Sequence, residues 1–143
     1  MEVFDEDSIR MLGIQRSDIA SIVAKESAEI ERRLDLYRGN RQNPQVAGKV
    51  IILVDDGLAT GVTATAAARA LRLGKPKRLI LAVPICASDS ARKLQREVDE
   101  LVCLHKSDNL MAVGTWYEDF AQLTDQEVID TLARAHREIQ VKV

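Results

Sequence analysis

Hydrophobic positions in the middle of the chain fall into three short runs that are separated by stretches with helical spacing. The runs cover residues 50–54, 79–83 and 101–104, and polar or turn-forming residues bound each of them. Short apolar runs between helices are typical of parallel strands buried on both faces. The gaps, residues 63–73 and 88–98, have helical patterns. The pattern therefore predicts a β-α-β-α-β order and an α/β fold with a parallel sheet.

Both ends of the chain are predicted to be helical. Residues 17–38 repeat apolar side chains at helical intervals, and a shorter helix is expected over residues 6–12, before Gly13. Near the other end, Thr124 and Glu127 have the spacing of a capping box that opens an amphipathic helix. In the aromatic-rich segment between the third strand and this helix, the hydrophobic residues do not recur at the spacing of a helix or of a strand.

Length and composition favour a single domain that spans residues 1–143. Residues 1–48 are expected to form its helical segment, and residues 49–143 to form the β-α-β-α-β core and the final helix. The 20 basic and 22 acidic residues leave a net charge of −2, so no nucleic acid or membrane surface is expected as a partner. Cys86 and Cys103 lack metal-site spacing and are expected to be small apolar fillers, and no leader pattern is visible, which favours a cytoplasmic protein. A small polar ligand is the expected partner.

The first predicted strand runs directly into Asp55 and Asp56, and a loop of small residues then leads into a helix. A helix start that follows glycine offers backbone N–H groups and a positive dipole end to a phosphate. Thr60 and Thr63 add hydroxyl donors. The two carboxylates accept hydrogen bonds and suit the hydroxyl groups of a sugar. Together these features predict a site for a ribose 5-phosphate.

This segment resembles the phosphoribosyl pyrophosphate motif of type I phosphoribosyltransferases, in which a hydrophobic strand precedes two acids and a Thr-Gly-x-Thr loop. Residues 37–39, 54–61 and 113–120 together resemble a bacterial subgroup of predicted phosphoribosyltransferases. The resemblance implies a Rossmann-like three-layer α/β domain. It also implies a role in nucleotide metabolism, the transfer of a 5-phosphoribosyl group from phosphoribosyl pyrophosphate to a nitrogenous base or another nucleophile.

The resemblance further implies the roles of individual residues. Asp55 and Asp56 are the expected catalytic residues, which orient the ribose and stabilise an oxocarbenium-like transition state. Mg²⁺ is the implied cofactor, bound through the ligand near these acids without a direct protein ligand set. The 5′-phosphate is expected to bind to a loop composed of Gly57, Ala59, Thr60, Gly61, Val62 and Thr63.

Two departures from the family pattern lead to an alternative. Purine-salvage members usually carry an aspartate at the position of Ala59, where it handles a proton of the base. In addition, no counterpart of the family's amino-terminal strand and pyrophosphate loop precedes Val50, so the fold is expected to be incomplete on that side. The alternative function is a non-catalytic module, either one that binds a ribose phosphate or a nucleotide or a regulatory one, that has lost the transferase chemistry.

The first strand is expected to be a central strand, which leaves an uncovered edge and predicts a homodimer or a higher homo-oligomer. Trp116 and Tyr117 have two interpretations, a stacking surface for a base or closure of the core. Other phosphate-binding classes fit less well. Val62 stands where a P-loop requires lysine. The second apolar run continues through Pro84 to Ile85 and Cys86 without the aspartate that a phosphoacceptor domain needs.

Overall fold

The computed structural model describes residues 3–4, 6–39 and 44–141, which form two compact units. The sheet unit contains residues 3–4, 6–9 and 44–120, and the helical unit contains residues 10–39 and 121–141. Within these ranges, none of the helices has both the length and the apolar character needed to cross a bilayer. The elements in chain order are α1 (Glu6–Leu12), α2 (Arg16–Arg38), β1 (Val50–Val54), α3 (Val62–Leu73), β2 (Arg78–Ala87), α4 (Ser88–Leu94), β3 (Glu100–Ser107), a 3-10 helix (Val113–Trp116) and α5 (Asp125–Val141).

The sheet has three parallel strands in the order β1-β2-β3. Ile52 pairs with Ile80, and Ala82 pairs with Val102, so the strands are aligned with their carboxyl ends at one edge. The α/β class and the parallel sheet are thus confirmed. The predicted bounds of β1 match those observed, whereas β2 and β3 extend beyond their apolar runs.

One face of the sheet carries the core, and alternation along β2 shows which face it is. Leu79, Leu81 and Val83 are buried there, with exposed fractions of 4% or less. Ala68 of α3 and Leu94 of α4 belong to the same buried cluster. Ala64 and Ala68 of α3 are both buried in this cluster, which explains the alanine-rich pattern of the helix.

The opposite face of β1 is exposed, which corrects one prediction. Val50, Ile52 and Val54 are exposed, and Ile52 is 63% accessible, while Ile51 and Leu53 pack against the core cluster. The strand was expected to be buried on both faces because all five of its residues are apolar. It instead forms an edge of the described sheet and packs one face on the core, and hydrophobic composition alone cannot distinguish these situations.

The helical unit pairs α2 with α5 through polar contacts. Arg32 Nη1 donates to Asp125 Oδ2 at 2.9 Å, and the Tyr37 hydroxyl donates to Asp125 Oδ1 at 2.5 Å. The Thr124 N–H and hydroxyl both donate to Glu127 Oε2 at 2.7 Å, which confirms the predicted capping box. The expectation that the chain is a single domain stays a prediction.

Candidate functional site

The segment predicted to hold a phosphate connects β1 to α3, and its centre is tied to the end of β2. Leu58 is 1% exposed and pairs with Cys86 as an isolated parallel bridge. The Leu58 N–H donates to the Ile85 carbonyl at 3.0 Å, and the Ala87 N–H donates to the Leu58 carbonyl at 2.8 Å. The connection is therefore fixed at the carboxyl edge of the sheet, where ligands bind in open parallel sheets.

Gly61 forms the amino-terminal cap of α3 in a conformation that favours glycine. Its φ is 73°, in the left-handed region, and an added Cβ would lie 2.9 Å from Leu94 Cδ1. No side chain caps α3 in the described structure, while the Thr65 N–H and hydroxyl donate to the Gly61 carbonyl at 2.9 and 2.8 Å. The first N–H groups of a helix have no intrahelical acceptor and attract anions. The start of α3 therefore presents backbone N–H groups that no side chain caps.

A buried serine forms a hydrogen bond to the backbone of the loop. Ser90 of α4 is 4% exposed, and its hydroxyl donates to the Ala59 carbonyl at 2.5 Å. Because this bond holds the Ala59 carbonyl toward α4, it restrains the backbone of the loop at its middle. Ser90 was not among the site residues predicted from the sequence. Its only signal there is that it is a polar residue in the first turn of α4.

The acid pair and the loop line an open pocket of about 210 Å³. This volume is below the roughly 300–1,000 Å³ that is typical of pockets for drug-sized ligands, so it suits a small polar group. The hydroxyl-bearing residues Thr60 and Thr63 are both exposed. Every residue predicted for the acid pair and the loop lines the pocket, whose full lining is Asp55, Asp56, Gly57, Leu58, Ala59, Thr60, Gly61, Val62, Thr63, Ala64 and Val113.

The two carboxylates differ in their surroundings. Asp56 is exposed, whereas Asp55 is half-buried and its Oδ1 accepts the Asp56 N–H at 2.9 Å. Burial raises the pKa of Asp55 above its ordinary value; the Asp56 N–H opposes this shift and the Asp56 carboxylate adds to it. A polyhydroxyl ligand or a cation would compensate the cost of keeping Asp55 charged in this place.

The acid pair fits a magnesium ion only as part of a shared coordination shell. Among the residues that the structure describes, no three histidine, cysteine or acidic side chains come together as a metal site. Mg²⁺ commonly takes one or two carboxylates from a protein and its other oxygens from water and substrate phosphates. Asp55 and Asp56 supply hard oxygen donors of this kind.

Cys86 pairs with Leu58 of the loop but does not have the properties of a nucleophile. Its side chain is fully buried, and burial raises the pKa of its thiol to about 12. A thiol with such a pKa stays protonated at neutral pH. The expectation that Cys86 is a small apolar filler agrees with this environment.

The acid pair also contacts the segment that contains the 3-10 helix. A Cβ added to Gly57 would lie 2.7 Å from Val113 Cγ1, so these residues are in close contact. The Tyr117 hydroxyl donates to the Asp56 carbonyl at 2.7 Å. The Tyr117 ring centre lies 5.2 Å from that of Phe120. The family resemblance grouped residues 113–120 with the loop segment, but it predicted neither the Val113 contact nor the Tyr117 hydrogen bond.

The two aromatic residues proposed for base stacking have different neighbours. Trp116 is 49% exposed, and its ring centre lies 4.8 Å from that of His105. Tyr117 is 37% exposed and contacts Asp56 and Phe120. Neither residue is buried, so the interpretation that they close the core is wrong. Base stacking stays a prediction for both residues.

An open parallel sheet whose first strand runs through an acid pair into a glycine-capped helix start places the chain among the α/β proteins. The sequence model of the phosphoribosyl transferase domain matches residues 6–119. The chain therefore belongs to the phosphoribosyl transferase domain family.

Relatives with curated sequences and a solved structure agree with this assignment. The chain is 34% identical over 138 residues to proteins named "Putative phosphoribosyl transferase" from Mycobacterium tuberculosis strains CDC 1551 / Oshkosh and ATCC 25618 / H37Rv. The match covers 96% of this chain and 31% of each relative, so the chain spans about a third of their length. The crystal structure of TT1426 from Thermus thermophilus is similar with a TM-score of 0.71 at 29% identity, over 91% of this chain and 61% of that one.

The contact between Gly57 and Val113 yields a stability prediction. Gly57→Ala places a methyl group against Val113 and Ile85, and we expect it to lower the free energy of unfolding by about 1–3 kcal/mol, as overpacking does. Urea unfolding monitored by circular dichroism measures the change.

The double variant Gly57→Ala with Val113→Ala is the control. Shortening Val113 makes room for the new methyl group, so the double variant should be more stable than the sum of the two single effects predicts. Strict additivity would show that the two residues are not in contact.

Proposed function

We propose that the chain binds the 5-phosphoribosyl group of phosphoribosyl pyrophosphate and transfers it to a nitrogenous base or another nucleophile. The observation that carries this proposal is the single pocket lining that joins Asp55 and Asp56 to the glycine-capped start of α3. Acceptors that suit sugar hydroxyls thus line the same pocket as donors that suit a phosphate, and a ribose 5-phosphate needs both kinds of group. Family membership supports the same ligand class.

The 5′-phosphate would bind at residues 59–63. Backbone N–H groups at the start of α3 donate to its oxygens, and the exposed hydroxyls of Thr60 and Thr63 can add two donors. The left-handed Gly61 brings the backbone close to the ligand without an intervening side chain. No lysine or arginine is among the residues that line the pocket, so the anion would be held by backbone and hydroxyl donors.

The acid pair would act on the sugar. Asp55 and Asp56 accept hydrogen bonds from the ribose 2′ and 3′ hydroxyls and so orient the ring. When the bond between C1 and the pyrophosphate oxygen breaks, its electron pair leaves with pyrophosphate and positive charge develops on the ring. Fixed negative charges near the ring stabilise that charge, and the nucleophile then forms its bond at C1. Mg²⁺, when bound with the ligand, would neutralise the departing pyrophosphate.

A non-catalytic binding module is the second candidate, and Ala59 is the observation that favours it. The methyl group of Ala59 cannot accept a proton, although this residue lines the pocket. A nucleophile that must lose a proton would therefore depend on a group outside the loop. A module of this kind would bind ribose 5-phosphate or a nucleotide, whereas it would release no pyrophosphate from phosphoribosyl pyrophosphate in the presence of Mg²⁺ and a base.

The acid pair gives a direct test of the proposed ligand. In the double variant Asp55→Asn with Asp56→Asn, we expect ribose 5-phosphate to bind at least about tenfold more weakly, because hydrogen bonds to charged acceptors are lost. Inorganic phosphate should bind equally well or more tightly, because two negative charges near the loop are removed. Isothermal titration calorimetry with both ligands measures the two affinities.

The matched control removes two carboxylates of the helical unit, in Asp35→Asn with Asp130→Asn, and should leave both affinities unchanged. An equal loss of ribose 5-phosphate and inorganic phosphate in the acid-pair variant would contradict the proposal. It would mean that Asp55 and Asp56 only shape the loop.

We also propose that the chain forms a homodimer. Val50, Ile52 and Val54 are exposed on β1, and β1 is an edge strand of the described sheet. Such an edge, flanked by apolar surface, favours pairing with a second copy. Light scattering at micromolar concentration should give twice the chain mass of 15.9 kDa, and Ile52→Lys should reduce the mass to that of one chain. A monomeric wild-type chain would refute this proposal.

A further inference from the structure

Tyr117 connects the aromatic segment to the acid pair through a single directed hydrogen bond. Its hydroxyl donates to the backbone carbonyl of Asp56 at 2.7 Å, across 61 positions in sequence. A carbonyl cannot provide chemistry of its own here, so the bond acts on the position of Asp56. The carboxylate of the same residue lines the pocket.

Other contacts hold the Tyr117 side chain in place. The Tyr117 ring lies 5.2 Å from that of Phe120, at an angle of 42° between the planes. Phe120 in turn packs on Gly114, where an added Cβ would lie 2.7 Å from Phe120 Cδ1. Gly114 lies within the 3-10 helix, and the Tyr117 N–H donates to its carbonyl at 3.3 Å. The hydroxyl is thus presented by a packed local structure.

The backbone of Asp56 is held on both sides. Its N–H donates to Asp55 Oδ1 at 2.9 Å, and its carbonyl accepts from Tyr117 at 2.7 Å. The next residue, Gly57, packs on Val113. With the two polar groups of one residue fixed, the direction of its Cα–Cβ bond is fixed as well. Asp56 is exposed, so the orientation of its carboxylate depends on this backbone.

We propose that Tyr117 is a positioning residue that orients the Asp56 carboxylate toward the sugar hydroxyls of the ligand. This inference rests on the proposed function, since it concerns how the acid pair recognises ribose. It separates the roles of the two neighbouring aromatic residues. Trp116, whose half-exposed ring contacts His105, keeps its predicted role in base stacking, while Tyr117 gains a second role because its hydroxyl is engaged with the acid turn.

Tyr117→Phe tests the inference because it keeps the ring against Phe120 and removes only the donor. We expect the affinity for ribose 5-phosphate to fall about two- to tenfold, the range of a typical net hydrogen bond. The affinity for inorganic phosphate should stay unchanged, since the start of α3 is not altered. Calorimetric titration of both ligands gives the ratio of the two affinities. A general loosening of the structure would weaken both ligands and leave this ratio unchanged.

Tyr37→Phe is the matched control, because it removes a hydroxyl that donates to Asp125 in the helical unit. It should leave both affinities at the wild-type value. Equal weakening of both ligands by Tyr117→Phe, or no weakening of either, would overturn the inference while the proposed function stands. Absence of ribose 5-phosphate binding by the wild-type chain would overturn the proposed function and the inference together.

Discussion

The backbone bridge between Leu58 and the end of β2 is the interaction on which the candidate site depends. Leu58 is buried and its two backbone hydrogen bonds reach Ile85 and Ala87, so the connection between β1 and α3 has a fixed course. Residues before the bridge place the carboxylates, and residues after it form the glycine cap of α3. A shift of this one anchor would change both halves of the site at once, because they share a single stretch of backbone.

The site is built at a cost to local stability. Burial disfavours the charged form of Asp55, and α3 begins at a left-handed glycine without a capping side chain. A serine or an aspartate at the cap would satisfy the helix start but would also occupy the place of an anion. Such exposed donors and partly desolvated acids are typical of functional sites, where the ligand supplies the missing partners.

The parts of the molecule that follow from local rules could be predicted from the sequence. The bounds of β1, the start of α3 within one residue and the capping box of Thr124 and Glu127 all depend on nearby residues. The pairing of the acids with the loop also followed, because a strand end and a helix start are adjacent in the chain. Ser90, Val113 and the Tyr117 hydrogen bond were missed because each reaches the site through tertiary packing. The two hydrogen bonds join residues that are 31 and 61 positions apart in the sequence. The exposed face of β1 was missed because five apolar residues look alike whether one or both faces are covered.

The central claim is that the start of α3 binds the phosphate of the ligand, and an NMR titration tests it most directly. Backbone amide shifts of the ¹⁵N-labelled chain would be followed while inorganic phosphate and then ribose 5-phosphate are added. The largest shifts should fall on residues 59–63 with both ligands, and on Asp55 and Asp56 in addition with ribose 5-phosphate. Shifts that concentrate elsewhere in the chain, or none at millimolar phosphate, would contradict the account.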